Sequence, residues 1–171
     1  MTVLPIIIAP DPRLKKKSLP VKNINDELRV FMDDMLETMY SAPGIGLAGP
    51  QVGLLQRIIV ADVSQKEGVK EPHQLINPEI LSYSDELYEY EEGCLSLPDQ
   101  YSEVVRPKRV AIQYLNTEGK QRVIEAEGLL AVCLQHEIDH LEGILFVDHV
   151  SMLKRNLIMR KLKKLKKMKG K

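Results

Sequence analysis

LQHEIDHLEGILF, residues 134–146, contains the pattern H-E-x-x-H at His136, Glu137 and His140. Residues four apart share one face of a helix, so a helical conformation turns both imidazoles toward a single point where a metal ion fits. The apolar spacing becomes helical from Leu129, and Gly143 is a natural stop. An extended form of this motif places a third histidine six residues after the second. Here that position is Phe146. Either a third ligand comes from elsewhere in the chain, or the helix is merely amphipathic and its two histidines are only polar.

Upstream, KRVAIQYL (108–115) and QRVIEAEG (121–128) flank NTEGK and predict a hairpin. RIIVADV (57–63) has the composition of a buried strand, and HQLINPEIL (73–81) is a second extended segment. NINDELRVFMDDMLETMY (23–40) carries apolar residues at Leu28, Phe31, Met32, Met35, Leu36 and Met39, a helical stripe. Asn25 is its expected N-cap, with Asp26 and Glu27 in the first turn. SAPGIGLAGPQVG follows, and its glycines and prolines forbid further helix. A last helix is expected from near Ser151. Strands in hairpins with helices before and after them predict an α+β fold, with antiparallel or mixed β-sheets packed around a central helix carrying H-E-x-x-H. With no internal repeat or linker, residues 1–171 are expected to form one domain.

A chain that is 44% hydrophobic and 28% charged is neither disordered nor fibrous. With no tryptophan and only two phenylalanines, its core must rest on Leu, Ile, Val and Met, so the methionines are core fillers. Two cysteines, Cys94 and Cys133, are too few for a disulfide framework. MTVLPIIIAPDPRLKKK lacks a basic lead and its apolar run is broken by Pro5 and Pro10, which predicts neither signal peptide nor membrane span. A cytoplasmic location with reduced thiols is therefore expected. The zero net charge conceals an asymmetry. Ten of the 24 Lys and Arg lie in 154–171, where there are no acids, which leaves 14 basic against 24 acidic residues in the rest.

EEGCLSLP (91–98) supplies a candidate third ligand in Cys94. Two imidazoles and a thiolate leave one tetrahedral position open for water, whereas a closed structural site needs a fourth protein ligand. Cys133 competes, lying three residues before His136 on a similar face, but one turn further along the axis. It is expected to line the pocket as a small hydrophobe. A Cys94–Cys133 disulfide is the other possibility, and a reducing compartment argues against it. His73 and His149 lack any partner pattern and are expected on surface loops.

GIGLAGPQVG (44–53), EGCLSLP (92–98) and QHEIDHL (135–141) together resemble, in order and spacing, the three signature motifs of bacterial, type I-like peptide deformylases. The resemblance covers essentially the whole chain. It implies removal of the formyl group from the N-terminal formyl-methionine of newly synthesised polypeptides, with release of formate. It implies Cys94, His136 and His140 as metal ligands and Glu137 as general acid/base. The oxyanion donors it implies are the Gln51 side-chain amide and the Leu95 backbone N–H. Ile45, Leu129, Val132 and Cys133 would line a methionine slot, with Gly46 allowing close approach of the substrate backbone. The implied native ion is Fe(II), with Zn, Ni or Co as substitutes. One departure stands in the first motif: the family has two alanines before the proline, whereas this chain has Ala48 and then Gly49. The lost methyl is expected to loosen the loop holding Gln51 by up to roughly 1 kcal/mol.

Two other functions fit the residues. One is a metallopeptidase of broader specificity using the same His₂Cys site. The other is a non-enzymatic nucleic-acid-binding module with a structural metal. The C-terminal segment 151–171 is expected to be a helix docked through Leu153, Leu157, Leu162, Leu165 and Met168. Its cations, within 154–171, offer an electrostatic handle for ribosomal RNA. A monomer without a membrane partner is expected.

Overall fold

A computed structural model of the protein describes residues 2–64 and 68–169, so the last two residues of the expected basic tail, Gly170 and Lys171, lie outside the described residues. The first long helix, α1 (Asp26–Ser41), starts where the Asn25 side chain accepts the Leu28 N–H at 2.9 Å. Five strands follow in an antiparallel sheet. They are β1 (Gly46–Ala48), β2 (Ile58–Ala61), β3 (His73–Tyr83), β6 (Arg109–Leu115) and β7 (Gln121–Glu127), in that spatial order. β4 (Leu87–Cys94) and β5 (Leu97–Pro107) form a separate antiparallel hairpin. The remaining long helices are α2 (Leu129–Leu141) and α3 (Met152–Lys169).

The alternation of β2 explains how one sheet serves two helices. Successive strand residues point to opposite faces. Ile58 and Val60 pack with Met32, Met35 and Met39 of α1, while Ile59 and Ala61 pack with Ala131, Cys133 and Leu134 of α2. All four β2 residues are buried as a result. α2 thus lies between the sheet and the β4–β5 hairpin. It stops where Gly143, at φ +75°, turns the chain and passes so close to Lys15 that a Cβ would strike its backbone.

Three expectations need correction. The β4–β5 hairpin and the short β1 have no counterpart in the sequence-based elements. His73 is no loop residue: it opens β3, paired with Ala61, and is half-buried. α3 docks only in part through the expected stripe, since of its five residues Leu162 is buried while Leu153, Leu157 and Met168 are not. Ile158 and Leu162 are buried against Leu97, Leu145 and Phe146, with Met159 partly buried beside them. Leu153 and Met168 are 74% and 69% exposed and Leu157 also faces solvent. Leu165 alone of the other expected contacts is half-buried. On so basic a helix, position relative to the apolar ledge of the body decides which face docks.

Candidate metal centre

The tight turn at Leu95 and Ser96 that joins β4 to β5 brings Cys94 against the second half of α2. One ligand atom each from Cys94, His136 and His140 lie within 4.8 Å of one another, and Cys94 Sγ is 3.3 Å from His140 Nε2. A sulfur and two imidazole nitrogens at this spacing suit a divalent transition ion such as Zn or Fe and leave one position without a protein ligand. No other such cluster occurs among the described residues.

His136 is oriented from behind. Its Nδ1 lies 2.9 Å from Glu92 Oε1. A carboxylate only accepts, so Nδ1 carries a proton and Nε2 is the nitrogen left for a metal. Burial opposes a charged ring here, but contacts with Cys94, Glu137 and Glu92 outweigh it and raise the imidazole well above its ordinary range, so Nε2 gives up a proton when it binds an ion. Glu92 in turn accepts from Arg106 Nε at 2.6 Å and Nη2 at 3.0 Å, and Arg106 Nη1 reaches Asp139 Oδ2 at 2.8 Å. Glu92 and Arg106 are buried. Burial favours neutral Glu92, but hydrogen bonds from His136 and Arg106 outweigh it and hold the carboxyl below its usual range. Phe146, where an extended motif would place a third histidine, stacks on the His136 ring with centroids 6.1 Å apart. Burial and the neighbouring His136 keep His140 neutral, well below the ordinary imidazole range.

Glu137 is buried beside the cluster, and its Oε1 has no hydrogen-bond partner among the described residues. Burial pushes its pKa up to about 7; His136 opposes the shift and Glu92 adds to it. Any cation held by the triad would favour its ionised form. Cys133 lies deeper on α2 and donates weakly to the Ile45 carbonyl at 3.4 Å. Burial, with Glu137 nearby, drives its thiol well above the usual range, so it stays neutral.

Gln51 is fixed at both ends. Pro50 lies in the 3-10 turn Gly49–Val52, and Gln51 Oε1 accepts the Ala48 N–H at 2.9 Å. Its Nε2 donates to Ser96 Oγ at 3.0 Å and lies 3.4 Å from Cys94 Sγ. The expectation that Gly49 loosens this loop is corrected. A Cβ on Gly49 would lie 2.7 Å from the Leu54 carbonyl oxygen and 2.8 Å from that of Gln56. The glycine therefore permits tight backbone packing beneath Gln51.

A cavity of about 710 Å³ opens beside Cys94, His136 and Glu137. Ile45, Gly46, Leu129, Val132 and Cys133 all line it, together with Leu95, Cys94, His136 and Glu137. Gly46 is packed so closely that a Cβ would come within 2.5 Å of Glu137 Oε2 and 2.7 Å of Cys133 Sγ. A second groove, about 610 Å³ between residues 19–23 and α1, contains none of these groups.

Glu92, Ser96, Arg106, Asp139 and His149 escaped the sequence reading. Glu92 carried a signal, since on a strand it shares a face with the ligand Cys94 two residues on. The other four are brought in by tertiary pairing alone. His149 is no unpartnered surface residue: its Nε2 lies 2.8 Å from Asp139 Oδ2.

The sequence profile of the polypeptide deformylase family matches residues 3–156. A peptide deformylase of Phenylobacterium zucineum is 55% identical over 164 residues, covering 96% of this chain and 97% of its own. One from Rhizobium meliloti is 52% identical over 170 residues, covering 99% and 98%. The crystal structure of the Ehrlichia chaffeensis peptide deformylase superimposes with a TM-score of 0.93 at 40% identity, covering 99% of this chain and 100% of that one. The same enzyme in complex with actinonin gives 0.91 at 44% identity, covering 96% and 98%.

Proposed function

The chain belongs to the polypeptide deformylase family, and from that premise we propose that its Cys94–His136–His140 centre hydrolyses the formyl amide of N-terminal formyl-methionine on newly synthesised polypeptides. Formate is the released product. The observation that carries this reading is a triad of one thiol and two imidazoles beside a largely apolar cavity that Glu137 also lines.

A divalent ion held there supplies Lewis acidity, enough to bring the ionisation of water from a pKa of ~16 to ~7. Glu137 accepts the proton of the attacking water and returns it to the leaving amine. A carboxyl whose burial raises its pKa suits both transfers near neutral pH. Gln51, locked by Ala48 and Ser96, and the Leu95 N–H in the turn beside Cys94 are the donors for the developing oxyanion. Each such donor lowers the barrier by ~2.7–4 kcal/mol. Ile45, Leu129, Val132 and Cys133 form the slot for the unbranched methionine side chain. Gly46, lacking a Cβ, keeps the edge of β1 open to the substrate backbone.

The His₂Cys donor set accepts Fe, Zn, Ni or Co, and the family resemblance points to Fe(II) as the native ion among them. The protein works in the cytoplasm as a monomer, in one domain. The solvent-facing cations of α3 give it an electrostatic handle on ribosomal RNA, near its substrates. No observation favours a broader peptidase. A formate assay on a formyl-Met peptide, run on the parent and on Glu137→Gln, tests the reading. The parent should release stoichiometric formate, and the variant should keep its metal and lose ~10²–10⁴-fold in turnover. Cleavage of internal peptide bonds without formate would overturn it.

A further inference from the structure

The ion-pair chain behind His136 does not end inside the protein. Asp139 Oδ2 takes two donors at 2.8 Å, Arg106 Nη1 from within and His149 Nε2 from outside. The side chain of His149 is 38% exposed, against 5% for Arg106. Because a carboxylate only accepts, the proton in this contact belongs to His149 Nε2. His149 stands at the end of the 3-10 turn Phe146–His149, which also holds Phe146 against the His136 ring. The turn is itself anchored: Asp148 accepts from Lys15 Nζ at 2.6 Å and from Arg155 Nε at 2.9 Å. One short segment therefore touches the ligand helix twice, through Phe146 on the His136 ring and through His149 on Asp139.

We propose that His149 is a positioning residue for the metal centre, acting through Asp139, Arg106 and Glu92 on the imidazole of His136. The guanidinium of Arg106 is a rigid plane shared between two carboxylates. Nε and Nη2 hold Glu92 and Nη1 holds Asp139, so the direction of the Asp139 carboxylate fixes the tilt of the plane. That tilt sets how Glu92 Oε1 meets His136 Nδ1, and hence where Nε2 aims. Partners of this outer kind tune metal affinity and activity by ~10–100-fold when they touch a ligand directly. His149 lies further out, so an effect of ~10-fold or less is expected.

The inference rests on the proposed reading that Cys94, His136 and His140 hold a metal, and the experiment separates the two. The full chain is loaded with Co(II), and its release to a chromogenic chelator is timed alongside kcat and KM on a formyl-Met peptide. His149→Ala should release Co(II) several-fold faster and lower kcat with KM unchanged. His149→Gln, whose amide can replace the Nε2–H donor, should restore both. In an Asp139→Asn background, His149→Ala should have no further effect. Parental release and kcat in His149→Ala, or equal losses with and without Asp139, would overturn the positioning role. A parent that takes up no Co(II) would overturn the reading of the centre, and the positioning role with it.

Discussion

α2 and α3 carry charge in opposite ways. α2 buries His136, Glu137 and His140 among apolar neighbours, and Asp139 is mostly covered. Of the described α3 side chains only Ile158 and Leu162 are buried, and the lysines stand in water. A buried charge is tolerable only with a specified partner, and removing that partner is costly. A solvated charge contributes ~0–1 kcal/mol on its own and matters through the summed field. Single substitutions should therefore be severe on and around α2 and nearly silent on α3, where only the total counts.

The severest test of this contrast is Cys94→Ala, which should abolish both metal uptake and formate release; metal analysis beside the formate assay checks it, and full occupancy in the variant would refute the ligand set. Gln51→Ala comes next. It should raise the barrier by ~2.7–4 kcal/mol, read in kcat with metal content unchanged.

A third test concerns the cost of burying Glu137 in metal-free protein. Its folded pKa of about 7 lies above the ordinary 4.5. A raised carboxyl pKa means that the fold holds the proton more tightly than the unfolded chain does. The stability tied to that proton is present below pH 4.5 and drains away as pH rises through 7, a loss of ~3 kcal/mol. Glu137→Gln cannot ionise, so its melting temperature should pull ahead of the parent's between those limits and stay ahead above them. Parallel melting curves across pH would contradict the buried, unpaired carboxyl. Smallest of all, replacing Lys163, Lys164, Lys166 and Lys167 by Gln should move stability by ~0.5 kcal/mol or less. The same change should weaken low-salt co-sedimentation with ribosomes; unchanged co-sedimentation would remove the handle.

The contrast also explains what could be read from the sequence. α1, α2 and the β6–β7 hairpin repeat their apolar residues at the period of their own backbone, so they are legible locally. β4 and β5 are not, because the inward residues Glu92, Ser102 and Arg106 are polar and break the alternation that marks a half-buried strand. The candidate ligands are legible because metal chemistry demands certain residue types at certain spacings. Their support is not: Glu92 meets Arg106 across the hairpin, and Asp139 meets His149 around a turn, pairings that only the folded chain creates. The docked face of α3 escaped for a related reason, since leucines recur on several sides of that helix and the ledge beneath selects among them.

The glycine at position 49 makes the first motif and the strand of chain at 54–56 a matched set. Two carbonyl oxygens already occupy the room an alanine methyl would need. An alanine at this one site would drive a wedge under Gln51. Because the obstacles are main-chain oxygens, which any residue at 54 or 56 would carry, only a shift of the backbone itself could admit the methyl, and Gly49→Ala should show that shift as a lower kcat through a displaced Gln51.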